Sequence, residues 1–269
     1  MPDILQTRIN EYWSTHAEAY DTNQSARQDR PGALDVWARV WDTALPPAPA
    51  DVLDLGTGSG NVARMLAGFR YDVTAIDLAP GMLARARRKC AVDGNPPRFI
   101  EADAAAPPFP PASFDALTAR YLLWTLRDPD VALPAWREVL RPGGVLVAVD
   151  SLWYPGGLGT AHEGESATDR DHHFRAAYDD DALERLPLAE AKSIDRMGEL
   201  VEAAGFTEVE ITELPEVMDL DRRYGVAPGH RVQMQYRISA RRPVAPQSPP
   251  DPRPVTPRAG NSTAFTSVH

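Results

Sequence analysis

The segment Asp51-Val52-Leu53-Asp54-Leu55-Gly56-Thr57-Gly58-Ser59-Gly60 constrains this chain more than any other: an apolar strand carrying an acid near its end runs directly into three alternate glycines. A strand-to-helix turn that tight needs positive φ angles and bare backbone, and glycine supplies both without a steric penalty. The expected outcome is an α/β unit in which a cofactor lies against the main chain. A dinucleotide fingerprint would have its third glycine at position 61, where Asn61 stands. No lysine follows the glycines, so the phosphate loop of nucleoside triphosphatases is absent too.

Further acids follow strand signals in order. Val73 to Asp77 reads as a second strand with Asp77 at its tip, about 20 residues beyond the loop, where a carboxylate can accept both ribose hydroxyls. Phe99 to Ala104 is a third strand carrying Asp103. Ser113 to Thr118 is a fourth, and Arg141-Pro142-Gly143-Gly144 opens a fifth that ends at Asp150. A carboxylate after a strand is also a common helix cap, and Glu101 competes with Asp103.

The acid-x-Gly-x-Gly-x-Gly word and this ordered set, spanning residues 51 to 150, resemble the Rossmann-like (class I) methyltransferases that use S-adenosylmethionine. The resemblance implies a seven-stranded, mostly parallel sheet with helices on both faces and the last strand antiparallel. It assigns Asp54, Gly56, Thr57, Gly58 and Gly60 to the cofactor loop and Asp77 to the ribose. Leu78 and Met82 flank the adenine, and Asp103 with Ala104 takes its amino edge. Tyr12 to Asp21 and Arg120 to Pro129 are similar to stretches of bacterial, notably actinobacterial, natural-product enzymes of this class, in which a histidine usually stands where this chain has Tyr121.

Charge narrows the acceptor. A net charge of −10 repels a phosphate backbone, so no nucleic-acid partner is expected. The cluster Arg85, Arg87, Arg88 and Lys89 lies on the helix after the second strand, expected to be exposed and remote from the transferring methyl. Thr118-Ala119-Arg120-Tyr121 replaces the Asp/Asn-Pro-Pro-aromatic word of enzymes that methylate DNA amino groups. With one cysteine, Cys90, neither a disulfide framework nor a thiolate metal site is expected. No apolar run reaches membrane-spanning length and no charged start precedes an apolar stretch, so the reading is a soluble, cytoplasmic protein without a membrane partner.

Four parts are expected along the chain. Residues 1 to 45 form a helical cap with apolar stripes Ile4, Leu5, Ile9, Trp13 and Leu34, Trp37, Trp41. Residues 46 to 242 form the cofactor domain, within which 151 to 192 is too long for an ordinary connection and reads as a lid insertion. Ala191 to Gly205 reads as a helix, then Thr207 to Leu214 and Gln233 to Arg241 as an antiparallel pair. Residues 243 to 269 are Pro-rich and read as a disordered tail.

A sulfonium methyl is already electrophilic, so the protein must mainly align a nucleophile and exclude water. Candidate catalytic residues are His172 and His173 as bases, Tyr20 as a polariser and Arg120 as an anion holder that also serves the cofactor. Tyr20 is equally readable as a packed aromatic. For at least one of His172 and His173 a solvated helix start is the better reading, and Asp171-His172-His173 as a metal site is opposed by the divergent directions of adjacent histidines. Trp13, Tyr20, Tyr121, Trp124, Trp153 and Tyr154 suit a planar aromatic or indole-type small-molecule acceptor. A non-catalytic cofactor-binding regulator or a nicotinamide-dependent oxidoreductase shares many of these features.

Overall fold

A computed structural model describes residues 3–91, 94–157, 169–226 and 231–244. Seven strands, β1 (Asp51–Leu55), β2 (Asp72–Asp77), β3 (Arg98–Glu101), β4 (Phe114–Arg120), β5 (Leu140–Asp150), β6 (Thr207–Glu213) and β7 (Tyr236–Arg241), form one sheet in the order β3-β2-β1-β4-β5-β7-β6. β7 runs antiparallel to both neighbours, and the other pairings are parallel. This is the Rossmann-like sheet expected from the sequence. Val52, Leu53 and Leu55 are fully buried, as a strand covered on both faces requires.

Helices α3 (Ala33–Asp42), α4 (Asn61–Gly68) and α10 (Pro215–Tyr224) cover one face through Trp37, Trp41, Val62, Leu66 and Val217. Helices α6 (Pro129–Val139) and α9 (Asp195–Ala203) cover the other through Leu133, Trp136, Met197 and Val201. Chain order reverses between β1 and β4. The crevice outside the C-terminal ends of those two strands is therefore where an open α/β sheet takes a ligand.

Over that crevice sit α1 (Ile4–Thr15), α2 (Ala17–Gln28) and the start of α3, while α5 (Pro80–Cys90) flanks it. α2 carries few large apolar residues and is held by charge. The Lys89 Nζ donates to Asp21 at 2.6 Å and to Asn61 at 2.7 Å, and Arg85 lies 3.5 Å from Asp21. Two members of the basic cluster on α5 thus clamp the cap onto the domain and are not a free surface patch. The expected apolar stripes also shift. Ile4 is 85% and Leu34 56% exposed, whereas Tyr12, Val36 and Val40 are buried in their place.

α1 ends directly on α5. A Cβ added to Gly81 would lie 2.3 Å from the Ser14 carbonyl oxygen and 2.7 Å from its Cα, both backbone atoms that cannot rotate away. Gly81→Ala is therefore expected to push α1 off α5, with about 1–3 kcal/mol lost in urea unfolding. An unchanged midpoint would show that this contact is not tight.

Part of the lid insertion is described. α7 (Asp169–Ala177) and α8 (Asp180–Glu184) fold back on the cap, where Arg8 pairs with Asp179 at 2.7 Å. Residues 158–168 of the insertion and 245–269 of the tail lie outside the described residues. α10, between the last two strands, was not expected from sequence, although Pro215 at its first turn and Val217, Leu220, Asp221 and Tyr224 at helical spacing mark it.

Candidate functional site

A single cavity runs from the glycine loop to an aromatic cluster beneath α1 and α7. Gly56 and Gly58 line it, at φ of +59° and +56°, with Tyr20 across from Gly58. A Cβ on Gly56 would stand 2.7 Å from a Leu122 methyl, which would have to shift, and the positive φ adds strain for any other residue.

Asp77, half-buried at the tip of β2, lines the same wall. Its Oδ2 accepts the Gly58 N–H at 2.7 Å and its Oδ1 the Ala79 N–H at 2.8 Å. One backbone donor per oxygen leaves lone pairs for two more hydrogen bonds, the number a vicinal diol offers. Burial raises the Asp77 carboxyl above its ordinary range, against the pull of these backbone donors. Leu78, Met82, Asp103 and Ala104 also line the cavity, and Asp103 turns one oxygen back onto the Ala105 N–H at 2.8 Å.

Three residues assigned to the loop by sequence do not reach the cavity. Asp54 is 1% exposed beneath it, where its Oδ1 accepts the Thr118 hydroxyl at 2.7 Å. Thr57 is buried beside it. Gly60 starts α4 at φ +77°, where a Cβ would stand 2.9 Å from that of Ala86 and 3.1 Å from Phe99. These residues lie beneath the loop and outside the cavity lining.

His172 and His173 also lie away from the cavity. Both are exposed on α7 and neither lines the cavity; the His173 Nδ1 instead lies 3.4 Å from the His16 Nε2 on the cap. α7 turns Phe174 and Tyr178 inward, and the two adjacent histidines consequently face away.

The aromatics fare differently. Trp13, Tyr20, Tyr121, Trp124, Trp153 and Tyr154 all line the cavity, joined by Tyr12 and Phe174. Trp13 Nε1 donates to the Tyr178 hydroxyl at 2.8 Å, and Tyr121 meets Trp153 edge-to-face at 5.0 Å. Tyr121 takes the left-handed region at φ +59°, an outlier for a bulky residue. Its N–H still bonds the Val149 carbonyl at 2.8 Å, continuing the ladder, while its hydroxyl is buried with no hydrogen-bond partner.

Arg120 lines the cavity beside these rings, 5.1 Å from Trp37 and 5.2 Å from Tyr121, and donates to Gln24 at 3.3 Å. Sequence reasoning missed Arg27, Asp221, Arg231 and Gln235, which also line it. Arg27 and Asp221 pair at 2.6 Å across 194 positions, a separation no local pattern announces.

Burial pushes the carboxyls of Asp54 and Asp150 up to about 6, with hydroxyl or N–H donors drawing each back. An acid whose pKa rises on folding binds its proton more tightly in the folded chain, so these two disfavour the fold above about pH 6, and that cost fades as pH falls toward 4. The ion-paired Asp3, Asp115 and Asp179 are lowered, and their support is lost only at still lower pH. The stability contributed by Asp54 and Asp150 is thus expected to rise between pH 7.5 and pH 5. Urea midpoints across that range, compared with Asp54→Asn, test this: a variant with the same pH slope as the parent would remove Asp54 from the account.

Residues 53–148 match a protein family described as a methyltransferase domain. A demethylmenaquinone methyltransferase of Thermus thermophilus is 45% identical over 114 residues, 42% of this chain and 52% of that protein. A malonyl-[acyl-carrier protein] O-methyltransferase of Enterobacter lignolyticus is 37% identical over 107 residues, 38% of this chain and 41% of that protein. The chain thus spans about half the length of the curated relatives it matches. The solved structure of an S-adenosylmethionine-dependent methyltransferase from Thermotoga maritima superposes with a TM-score of 0.56 at 16% identity, covering 86% of this chain and 98% of that one, which is a likeness of fold.

Proposed function

We propose that this chain, whose residues 53–148 are a class I methyltransferase domain, transfers the methyl group of S-adenosylmethionine to a small organic acceptor with an aromatic ring. The observation that carries the reading is one cavity holding both halves of such a reaction: Asp77 beside bare glycine backbone at one end, and an aromatic wall at the other.

The residues fit the cofactor. Asp77 has unused acceptor capacity for the ribose hydroxyls. Leu78 and Met82 supply apolar faces for an adenine, with Asp103 at its edge. When bound, S-adenosylmethionine supplies the electrophilic methyl; everything else is positioning by this chain. Trp13, Trp124 and Trp153 hold a planar acceptor and keep water out. Burial raises the Tyr20 hydroxyl above its ordinary range, so Tyr20 stays protonated at neutral pH and acts as a hydrogen-bond donor to the acceptor rather than as a base. With His172 and His173 outside the cavity, the reading favours a nucleophile that needs little or no base from the protein.

The acceptor's scaffold is not carried over from the relatives. One is named for demethylmenaquinone and another for malonyl-[acyl-carrier protein], and each aligns with less than half of this chain. A quinol or phenol ring that arrives already ionised agrees with the first relative's name, the aromatic wall and the lack of a histidine base among the described residues of the cavity.

Parallel calorimetric titration with S-adenosylhomocysteine, S-adenosylmethionine and NAD tests the cofactor, followed by transfer of labelled methyl to a panel of phenols, quinols and indoles. Binding of the two adenosyl compounds but not NAD is expected. NAD binding alone would replace this reading with an oxidoreductase.

A further inference from the structure

We infer that the acceptor carries an anionic group, a carboxylate in the simplest case, held between Arg120 and Arg231 at the end of the cavity formed by α2, α10 and the approach to β7. The inference rests on the methyl-transfer reading and adds the acceptor's charge to it.

Four cations and four acids line the cavity, but not all of them are paired. Asp77 and Asp103 stand at the tips of β2 and β3, and Asp128 follows Arg127, which is bound to Gln6 and Asp3 of the N-terminal segment. Arg27, Arg120 and Arg231 line the cavity as well, with Asp221 as a further acid. Asp221 is already committed. Arg27 donates to both its oxygens at 2.6 and 2.8 Å, and Arg30, from behind, adds a contact of 3.1 Å. Among the described residues neither Arg120 nor Arg231 pairs with a carboxylate; Arg120 has only the Gln24 amide oxygen and two aromatic faces.

Two further polar groups at this end lack partners. The Tyr121 hydroxyl is buried and unbonded, and its left-handed backbone keeps the ring against Arg120. Gln235 is 2% exposed, lines the cavity and leaves its amide oxygen unbonded. Buried polar groups without partners are rare in folded proteins, and a ligand completes such sets. Two guanidinium groups and a hydroxyl can donate to the oxygens of a carboxylate, while the Gln235 amide oxygen is an acceptor for a separate N–H or O–H of the ligand.

The cofactor does not supply the missing charge. S-adenosylmethionine carries a sulfonium and an ammonium against one carboxylate, so its arrival makes the enclosed space more cationic. A neutral acceptor would leave the half-buried Arg120 and that added charge without a counter-ion, with Arg231 at the solvent-facing rim. An anionic acceptor balances them, and the aromatic wall holds the ring to which its charge is attached.

Benzoate and benzamide, which share shape and differ in charge, serve as probes, titrated calorimetrically at low salt into protein saturated with S-adenosylhomocysteine. The bound product keeps the cofactor's own carboxylate in place, so the probe reports the acceptor side. Benzoate is expected to bind at least about tenfold more tightly than benzamide. That preference should fall severalfold in Arg231→Gln, a change at an exposed side chain that leaves the core intact, and in Arg120→Gln. Equal binding of the two probes overturns the inference, as does no benzoate binding at tens of millimolar or a preference that survives both substitutions. Benzoate binding only when S-adenosylhomocysteine is absent also overturns it, by giving the arginines to the cofactor. Failure of S-adenosylhomocysteine itself to bind would instead sink the methyl-transfer reading, so the two failures are distinguishable.

Discussion

Asp77→Ala is expected to weaken S-adenosylhomocysteine binding by at least about a hundredfold in calorimetric titration, while the protein stays folded. The carboxylate has two tasks. Its oxygens fix the Gly58 and Ala79 N–H groups at 2.7 and 2.8 Å, which shapes the loop the cofactor lies on. Their remaining lone pairs face the cavity, where they would take the ribose hydroxyls. Each hydrogen bond to a charged acceptor is worth about 1.5–3 kcal/mol, so two lost together amount to a hundredfold or more. Asp77→Asn separates the tasks, because an amide keeps one acceptor oxygen and turns an NH2 toward a donor. Its affinity should fall between the parent and the alanine variant. Binding by Asp77→Ala within threefold of the parent would mean that this wall does not hold the ribose.

What could be read from the sequence followed how local each interaction is. The glycine loop was legible because its constraint lies in backbone angles at Gly56 and Gly58, which adjacent residues alone specify. The strand order was legible because Asp51–Leu55 and Asp72–Asp77 carry both an apolar run and an acid near its end. Helix α2 was not separable from α1, since it buries Ala17, Asp21 and Gln24 rather than an apolar stripe, and its attachment depends on Lys89 far along the chain. The same holds for the polar end of the cavity, where Arg27 meets Asp221 only after the sheet has closed. His172 and His173 illustrate the reverse case. Their side chains suggested chemistry, but which side of α7 faces the protein is decided by Phe174 and Tyr178 packing under Tyr12 and Trp124.

Asp150→Ala is expected to cost about 3–5 kcal/mol in urea unfolding while leaving S-adenosylhomocysteine affinity within about threefold. Asp150 ends β5 with no exposed surface, and it touches no part of the cavity directly. Its Oδ1 accepts the Trp153 indole N–H at 2.6 Å and the Ser151 N–H at 2.9 Å, and its Oδ2 accepts the Trp124 N–H at 3.2 Å. One carboxylate therefore fixes two of the tryptophans that line the cavity, as well as the short 3-10 helix Leu123–Thr125 on which Trp124 is carried. Alanine would strand these three donors away from water, at about 1–3 kcal/mol each before relaxation. The cofactor end, built on Asp77 and the glycine loop on other strands, is independent of them, which is why affinity there should hold. Near-ultraviolet circular dichroism should change with the loosened tryptophans, and transfer to any accepted ring should fall more than cofactor binding does. A variant that loses stability and S-adenosylhomocysteine affinity in equal measure would show that Asp150 supports the whole fold rather than positioning the acceptor wall. One that loses neither would show that water or rearranged neighbours satisfy the three N–H groups.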